Sequence, residues 1–129
     1  MFGKYGSICM LSELHGKVIK KVAGLEKYSN TVSIFTECGK QYVFYHRQDC
    51  CESVYLEDFD GYPDDLAGAY VLSAEVVSGD EPVGYVPRDF SNTWTFYKIE
   101  TNKGGIWMRW LGESNGYYSE SVSFELVDE

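Results

Sequence analysis

Residues 92–111 read Asn92-Thr93-Trp94-Thr95-Phe96-Tyr97-Lys98-Ile99-Glu100-Thr101, then Asn102-Lys103-Gly104, then Gly105-Ile106-Trp107-Met108-Arg109-Trp110-Leu111. Two runs of aromatic and β-branched residues flank three residues of turn chemistry. Such side chains fit a pleated, half-buried surface, and the pattern predicts a β-hairpin. Thr101–Gly104 suits a type I turn ending on a left-handed glycine, a three-residue loop. That register sets Thr101 opposite Gly105, Phe96 opposite Trp110 and Tyr97 opposite Arg109. A third run, Tyr118–Val127, follows the turn chemistry of Ser114-Asn115-Gly116-Tyr117 and completes a three-stranded antiparallel meander. A two-residue Asn-Gly turn would pair Met108 with Ser123. A loop with an odd number of residues would pair Met108 with Phe124 and Trp110 with Val122. A one-residue slip exchanges the faces, so burial favours the odd loop. One face then carries Trp94, Phe96, Met108, Trp110, Val122 and Phe124, and is the predicted core. The other carries Thr95, Tyr97, Ile99, Trp107, Arg109, Ser121 and Ser123. It is too aromatic for a plain solvent face. Either the N-terminal strands cover it, or it is a binding or oligomer surface.

Working outward, the same strand chemistry recurs. Thr31–Cys38 and Gln41–His46 flank the tight turn Cys38-Gly39-Lys40 and form a second hairpin, with Tyr42, Phe44 and His46 on one face. Lys17–Leu25 reads as an edge strand blunted by lysine. Ser53–Phe59 and Tyr70–Val77 are further strands. Ser12–Gly16 and Asp60–Gly68 are turns or single helical turns, and Ser78–Asp89, with two prolines, is a loop. Met1–Leu14 shows no clear period. These elements predict an all-β fold, or a β-rich one with one or two short helical turns, of about seven or eight antiparallel strands. It is a single antiparallel sandwich or a partly closed barrel. At 129 residues the chain reads as one domain, 1–129.

Composition narrows the function classes. The net charge of −9 is unevenly spread: residues 1–48 carry a net +4, residues 49–90 a net −10 and residues 91–129 a net −3. A phosphate backbone would repel such a chain, so direct nucleic-acid binding is not expected. A cationic partner, a metal ion or plain solubility would each account for the acidic middle. No apolar run approaches a membrane-spanning length, and Met1–Met10 lacks the basic-then-apolar pattern of a signal peptide. A cytoplasmic location follows, where thiols stay reduced. Cys50 and Cys51 are neighbours, a poor start for a disulfide framework, and all four cysteines read as free thiols. No cofactor is expected.

His46-Arg47-Gln48-Asp49-Cys50-Cys51-Glu52 concentrates reactive side chains as no other segment does. As a zinc site, His46, Cys50 and Cys51 would need a fourth ligand such as Cys38 or His15, and no Cys-x-x-Cys spacing is present. As a nucleophilic site, Cys50 or Cys51 would be the thiolate, His46 the base, and Asp49 or Glu52 the orienter. A turn at Gln48-Asp49 would then be required. The bland alternative is a strand-ending cap, with Asp49 bonding nearby backbone N–H groups, the thiols packed as small hydrophobes and His46 satisfied by hydrogen bonds. Asp58, Asp60, Asp64 and Asp65 around Gly61 are a weak calcium candidate, since the spacing departs from the EF-hand loop. On the meander, Arg109 among Tyr97 and Trp107 is a candidate polar anchor for a partner or ligand, alongside His46, Asp49 and Glu52.

The His46–Glu52 segment, with Trp94-Thr95-Phe96-Tyr97-Lys98-Ile99 and with Arg109-Trp110-Leu111-Gly112-Glu113-Ser114-Asn115-Gly116-Tyr117-Tyr118-Ser119-Glu120, resembles a domain-of-unknown-function family of small phage and bacterial proteins. Its members carry a His-x-Gln-Asp-Cys-Cys-Glu segment early and a Ser-Asn-Gly-Tyr-Tyr-Ser-Glu segment late. The resemblance implies a β-rich fold and a phage origin, and it brings no activity. By analogy with small phage proteins, the expected function is a binding module that inhibits a host protein or sequesters a small ligand. The alternatives are a thiol- or histidine-dependent hydrolase at His46, Cys50 and Cys51, and an acidic decoy that mimics nucleic acid.

Overall fold

Strand β4, Gln41–Tyr45, sends Tyr42 and Phe44 to one side, as alternation requires. Both side chains are fully buried. The computed structural model, which describes residues 5–8, 11–79 and 91–127, shows what they are buried against. The described strands are β1 (Tyr5–Ile8), β2 (Ile19–Ala23), β3 (Thr31–Thr36), β4, β5 (Ser53–Asp60), β6 (Val71–Gly79), β7 (Ser91–Thr101), β8 (Gly104–Ser114) and β9 (Ser123–Val127). Two 3-10 turns, Leu11–Leu14 and Pro63–Leu66, are the helical elements among them. A five-stranded antiparallel sheet runs β1-β9-β4-β3-β2, and a four-stranded one runs β5-β8-β7-β6. The β-rich expectation holds. Two separate sheets make the fold a sandwich and rule out the partly closed barrel.

The core lies between the sheets. Ile34, Tyr42, Phe44 and Phe124 come from the first, and Leu56, Tyr97, Ile99, Met108 and Trp110 from the second. Phe44 is the hinge of this packing. Its ring meets Tyr97 of the opposite sheet edge-on at 4.8 Å and Phe124 of its own sheet at 4.8 Å. Tyr42 stacks flat on Phe124 at 5.4 Å. Such ring pairs add to the area they bury.

Three features depart from the sequence reading. First, the β7–β8 hairpin closes one residue earlier than expected. Thr101 stands opposite Gly104, so Phe96 faces Arg109 and Tyr97 faces Met108. Gly104 does have positive φ (125°), but it occupies a strand position in β8 rather than the loop. The Thr101 hydroxyl accepts the Lys103 N–H at 3.0 Å and donates to the Gly104 carbonyl at 2.6 Å, which tightens the turn. The slip reverses the faces of β7. Tyr97 and Ile99 point inward with Met108 and Trp110, while Trp94 and Phe96 point outward with Trp107 and Arg109.

Second, the expected C-terminal meander is not formed by its third strand. β9 pairs with β4 and β1 in the other sheet, with Phe124 opposite Phe44. β8 runs on to Ser114, and the chain then crosses over its own strand. At Gly112 an added Cβ would lie 2.3 Å from the Glu120 carbonyl oxygen, so only glycine lets the crossing segment pass this close. Third, β1 is an additional strand in a stretch without visible period. Cys9 and residues 80–90, which include most of the Ser78–Asp89 loop, lie outside the described residues. Among the described residues no helix is long and apolar enough to cross a membrane.

Replacing Phe44 by alanine removes a ring that touches both sheets. It is expected to cost about 3–5 kcal/mol of unfolding free energy in a urea titration. Val77→Ala, on the exposed side of β6, should change stability by no more than about 0.5 kcal/mol.

Candidate functional site

Among the described residues the chain passes between the sheets twice, from β4 to β5 and from β8 to β9. The His46–Glu52 segment is the first crossing. The second runs through residues 115–122. The two meet at His46, whose Nδ1 lies 2.7 Å from the Ser121 carbonyl oxygen. On its other side, Nε2 lies 2.6 Å from Glu52 Oε2. Only 4% of the imidazole and none of the Glu52 side chain reaches solvent.

Glu52 organises the first crossing. Its carboxylate accepts backbone N–H groups from Asp49 and Cys50, each at 2.8 Å. Gln48 Nε2 donates to the Glu52 carbonyl at 2.6 Å and to the Cys50 carbonyl at 3.2 Å, which folds the segment back on itself. Burial pushes the Glu52 carboxyl up. The hydrogen bonds from His46 and from the Cys50, Asp49 and Glu52 backbone amides outweigh it, and the carboxyl is lowered to about 2. An ionised carboxylate only accepts, and so does a carbonyl. Both ring nitrogens of His46 therefore face acceptors.

The crossings are tied a second time. Arg47 places Nε and Nη2 on the Glu125 carboxylate at 2.9 and 2.8 Å, and the Tyr45 hydroxyl donates to it at 3.0 Å. Glu125 has no exposed surface, and three donors compensate its burial. Glu120, also buried, accepts from Thr93 Oγ1 at 2.7 Å and from Ser114 Oγ, which holds the second crossing against β7 and β8.

The expected site residues fall into different surroundings. His46 and Glu52 are joined directly. Asp49 contributes its backbone to them. Cys50 and Cys51 are bonded to each other at the exposed turn, which corrects the reading of both as free thiols packed into the core. Adjacency in the chain does not prevent two sulfurs at a turn from meeting. Cys38 is a free, exposed thiol in the β3–β4 turn, lowered chiefly by the hydrogen bond to the Thr36 hydroxyl. Among the described residues no three His, Cys, Asp or Glu side chains converge in a metal-binding group. Of the acidic candidates, Asp58 and Asp60 lie on β5, and Asp64 and Asp65 lie in the second 3-10 turn.

The second candidate region is the outer face of the four-stranded sheet. Tyr97 is not on it. That residue is 4% exposed, and burial raises its hydroxyl to about 12. Arg109 and Trp107 are on it. The Arg109 guanidinium lies over the Trp107 ring at 5.5 Å and the Trp94 ring at 5.8 Å. It also donates to Glu57 Oε1 at 2.7 Å and Asp58 Oδ2 at 3.5 Å. Glu57 reaches Arg109 because a bulge between Leu56 and Asp58 turns an extra residue of β5 outward. Phe96 packs beside Trp107 at 6.1 Å.

Ser121, Glu120, Glu125 and Gly112 are not among the site residues expected from the sequence. Gly112 directly follows a strand run in the sequence, and the structure extends β8 through it. Ser121 acts through its backbone carbonyl, which side-chain identity does not announce.

The lowered Glu52 carboxyl sets a pH dependence. Its folded value, about 2, lies below the ordinary 4.5, so its stabilisation is fully present above pH 4.5 and is lost as pH falls through about 2. The unfolding midpoint of the native chain should therefore fall more steeply across this window than that of Glu52→Gln, and the two curves should run parallel above it.

Comparison with curated proteins and with solved structures returned no match. A family model described as a domain of unknown function (DUF7448) matches residues 12–124, most of the chain, and this protein belongs to that family.

Proposed function

We propose that this protein is a non-enzymatic binding module, encoded by a phage or prophage and acting in the cytoplasm of a bacterial host. It inhibits a host protein or holds a small ligand there. One observation carries the reading: the outward face of the four-stranded sheet is built of aromatic rings around a cation. Outward positions of a sandwich alternate toward polar residues. Here Phe96, Trp107 and Arg109 form a continuous, partly exposed ladder across β7 and β8. Aromatic and arginine side chains are the residues that dominate recognition surfaces. Around the ladder stand Glu57, Asp58, Asp60, Glu75 and Glu100, against Arg109, Lys98 and Lys27, which lies 4.0 Å from Asp58. This balance favours a basic partner.

The hydrolase alternative draws less support. A base needs a free ring nitrogen, and both nitrogens of His46 are engaged by Glu52 and Ser121. The decoy alternative rests on net charge alone. Affinity capture from a host extract tests the binding reading. The native chain should retain a discrete basic partner, and Phe96→Ala should lose it with an unchanged unfolding midpoint. Equal retention by both would remove the face from consideration. Loss in His46→Gln instead would move the site to the crossing.

A further inference from the structure

The four-stranded sheet has an open edge. Among the described residues β6 pairs with β7 on one side and with no strand on the other. On that other side Val71 is engaged: its carbonyl accepts the Gly16 N–H at 3.0 Å, and its N–H donates to the Lys17 carbonyl at 2.9 Å. From Ser73 to Gly79 the same side carries no backbone hydrogen bond among the described residues. The other described edges are blunted by the devices that sheets commonly use. β1 is four residues long, β2 carries Lys20 and Lys21, and β5 carries Asp58, Asp60 and a bulge. Along β6 the one charged residue is Glu75, and Leu72, Val76 and Val77 are 50%, 51% and 54% exposed.

The cross-strand rows show what a further strand would meet. Side chains directly opposite each other share a face. On the outward face one row runs Asp58, Arg109, Phe96, Val77, and the next runs Asp60, Trp107, Lys98, Glu75. The first row reaches the edge on a valine and the second on a carboxylate. Glu75 stands opposite Lys98, yet the two make no ion pair among the described residues. On the inward face Val76 follows Tyr97 and stays half exposed, with no described strand beyond it. An added antiparallel strand therefore meets Val77, Val76 and Glu75 in succession. The residues that match them are apolar, apolar and basic. A second copy of β6 does not supply these. Val71–Gly79 contains no lysine or arginine, so every self-pairing leaves Glu75 without a cation from the partner.

We propose that β6 is a docking edge for an extended segment of a basic partner protein, which adds to the sheet as an antiparallel fifth strand over Ser73–Gly79. Two apolar side chains of that segment cover Val77 and Val76, and a basic one meets Glu75. Antiparallel addition continues the pairing of the whole sheet. In this mode backbone hydrogen bonds supply affinity, and the side-chain rows select the sequence. The proposal rests on the reading of this sheet as the recognition surface. It adds the edge at which the partner enters, since Val77 continues the row of Phe96 and Arg109.

The test uses the full chain and a capped peptide, Thr-Val-Val-Lys-Val-Thr, followed by nuclear magnetic resonance at the backbone amides of Ser73 to Val77. These signals should shift and saturate, with a dissociation constant of about 1 mM or tighter. The same peptide with glutamate in place of lysine should bind about fivefold more weakly. Glu75→Lys changes an exposed side chain and should reverse that preference. Shifts that never saturate, or a preference unchanged in Glu75→Lys, would overturn the proposal. So would a dimeric native mass without peptide, with concentration-dependent shifts at the same amides, which assigns the edge to a second copy. Failure of the peptide while partner capture still depends on Phe96 discards the edge alone, and loss of capture as well discards the whole face.

Discussion

A buried imidazole–carboxylate contact, His46 to Glu52, anchors the two points where the described part of the chain changes sheets. Sandwich sheets attract each other through apolar area, which is large but not directional. Nothing in that attraction selects how the connections cross. The polar contacts do. Glu52 gathers the first crossing through its own backbone amides, and His46 reaches the second through the Ser121 carbonyl. Each group is buried, so leaving one without its partner costs more than the pair gains when formed. The arrangement therefore specifies the topology more than it adds stability. Arg47 on Glu125 repeats the device one strand further on.

The same accounting separates the two candidate sites. At the crossings, the ring nitrogens, the carboxylates of Glu52, Glu120 and Glu125, and several backbone amides are already spent on one another. Reactive residue types are present there, but their lone pairs and protons are committed. On the outer face of the four-stranded sheet the balance is the reverse. Among the described residues Lys98 and Glu100 make no ion pair, and Phe96 and Trp107 are partly exposed. A partner gains more from polar groups that still face water than from groups already saturated by the protein.

Local features were legible in the sequence. The turn at Cys38-Gly39-Lys40 joins β3 and β4 as expected, and lysines guard β2 at the edge of its sheet. Pairings set by distant residues were not. Phe124 was expected in the core and is there, but against β4 rather than β8, because nothing in Tyr118–Val127 states which sheet it joins. The reversed face of β7 came from one glycine counted into the loop rather than the strand. Glu125 sits between Phe124 and Leu126 and reads as a solvent residue by alternation. Its burial follows from Tyr45 and Arg47, 80 and 78 positions away. Of the site, the concentration of His46 through Glu52 was visible, whereas the contact with Ser121 depends on the fold.

Hydrogen exchange read by mass spectrometry, comparing the native chain with His46→Ala, tests the coupling of the two crossings most directly. Removing the ring takes away the link between them while leaving the strands their ladders. Joint control by His46 predicts faster exchange in residues 46–53 and in residues 115–122 together, with β3, β7 and β8 unchanged. Faster exchange in the first segment alone, or in neither, would contradict it.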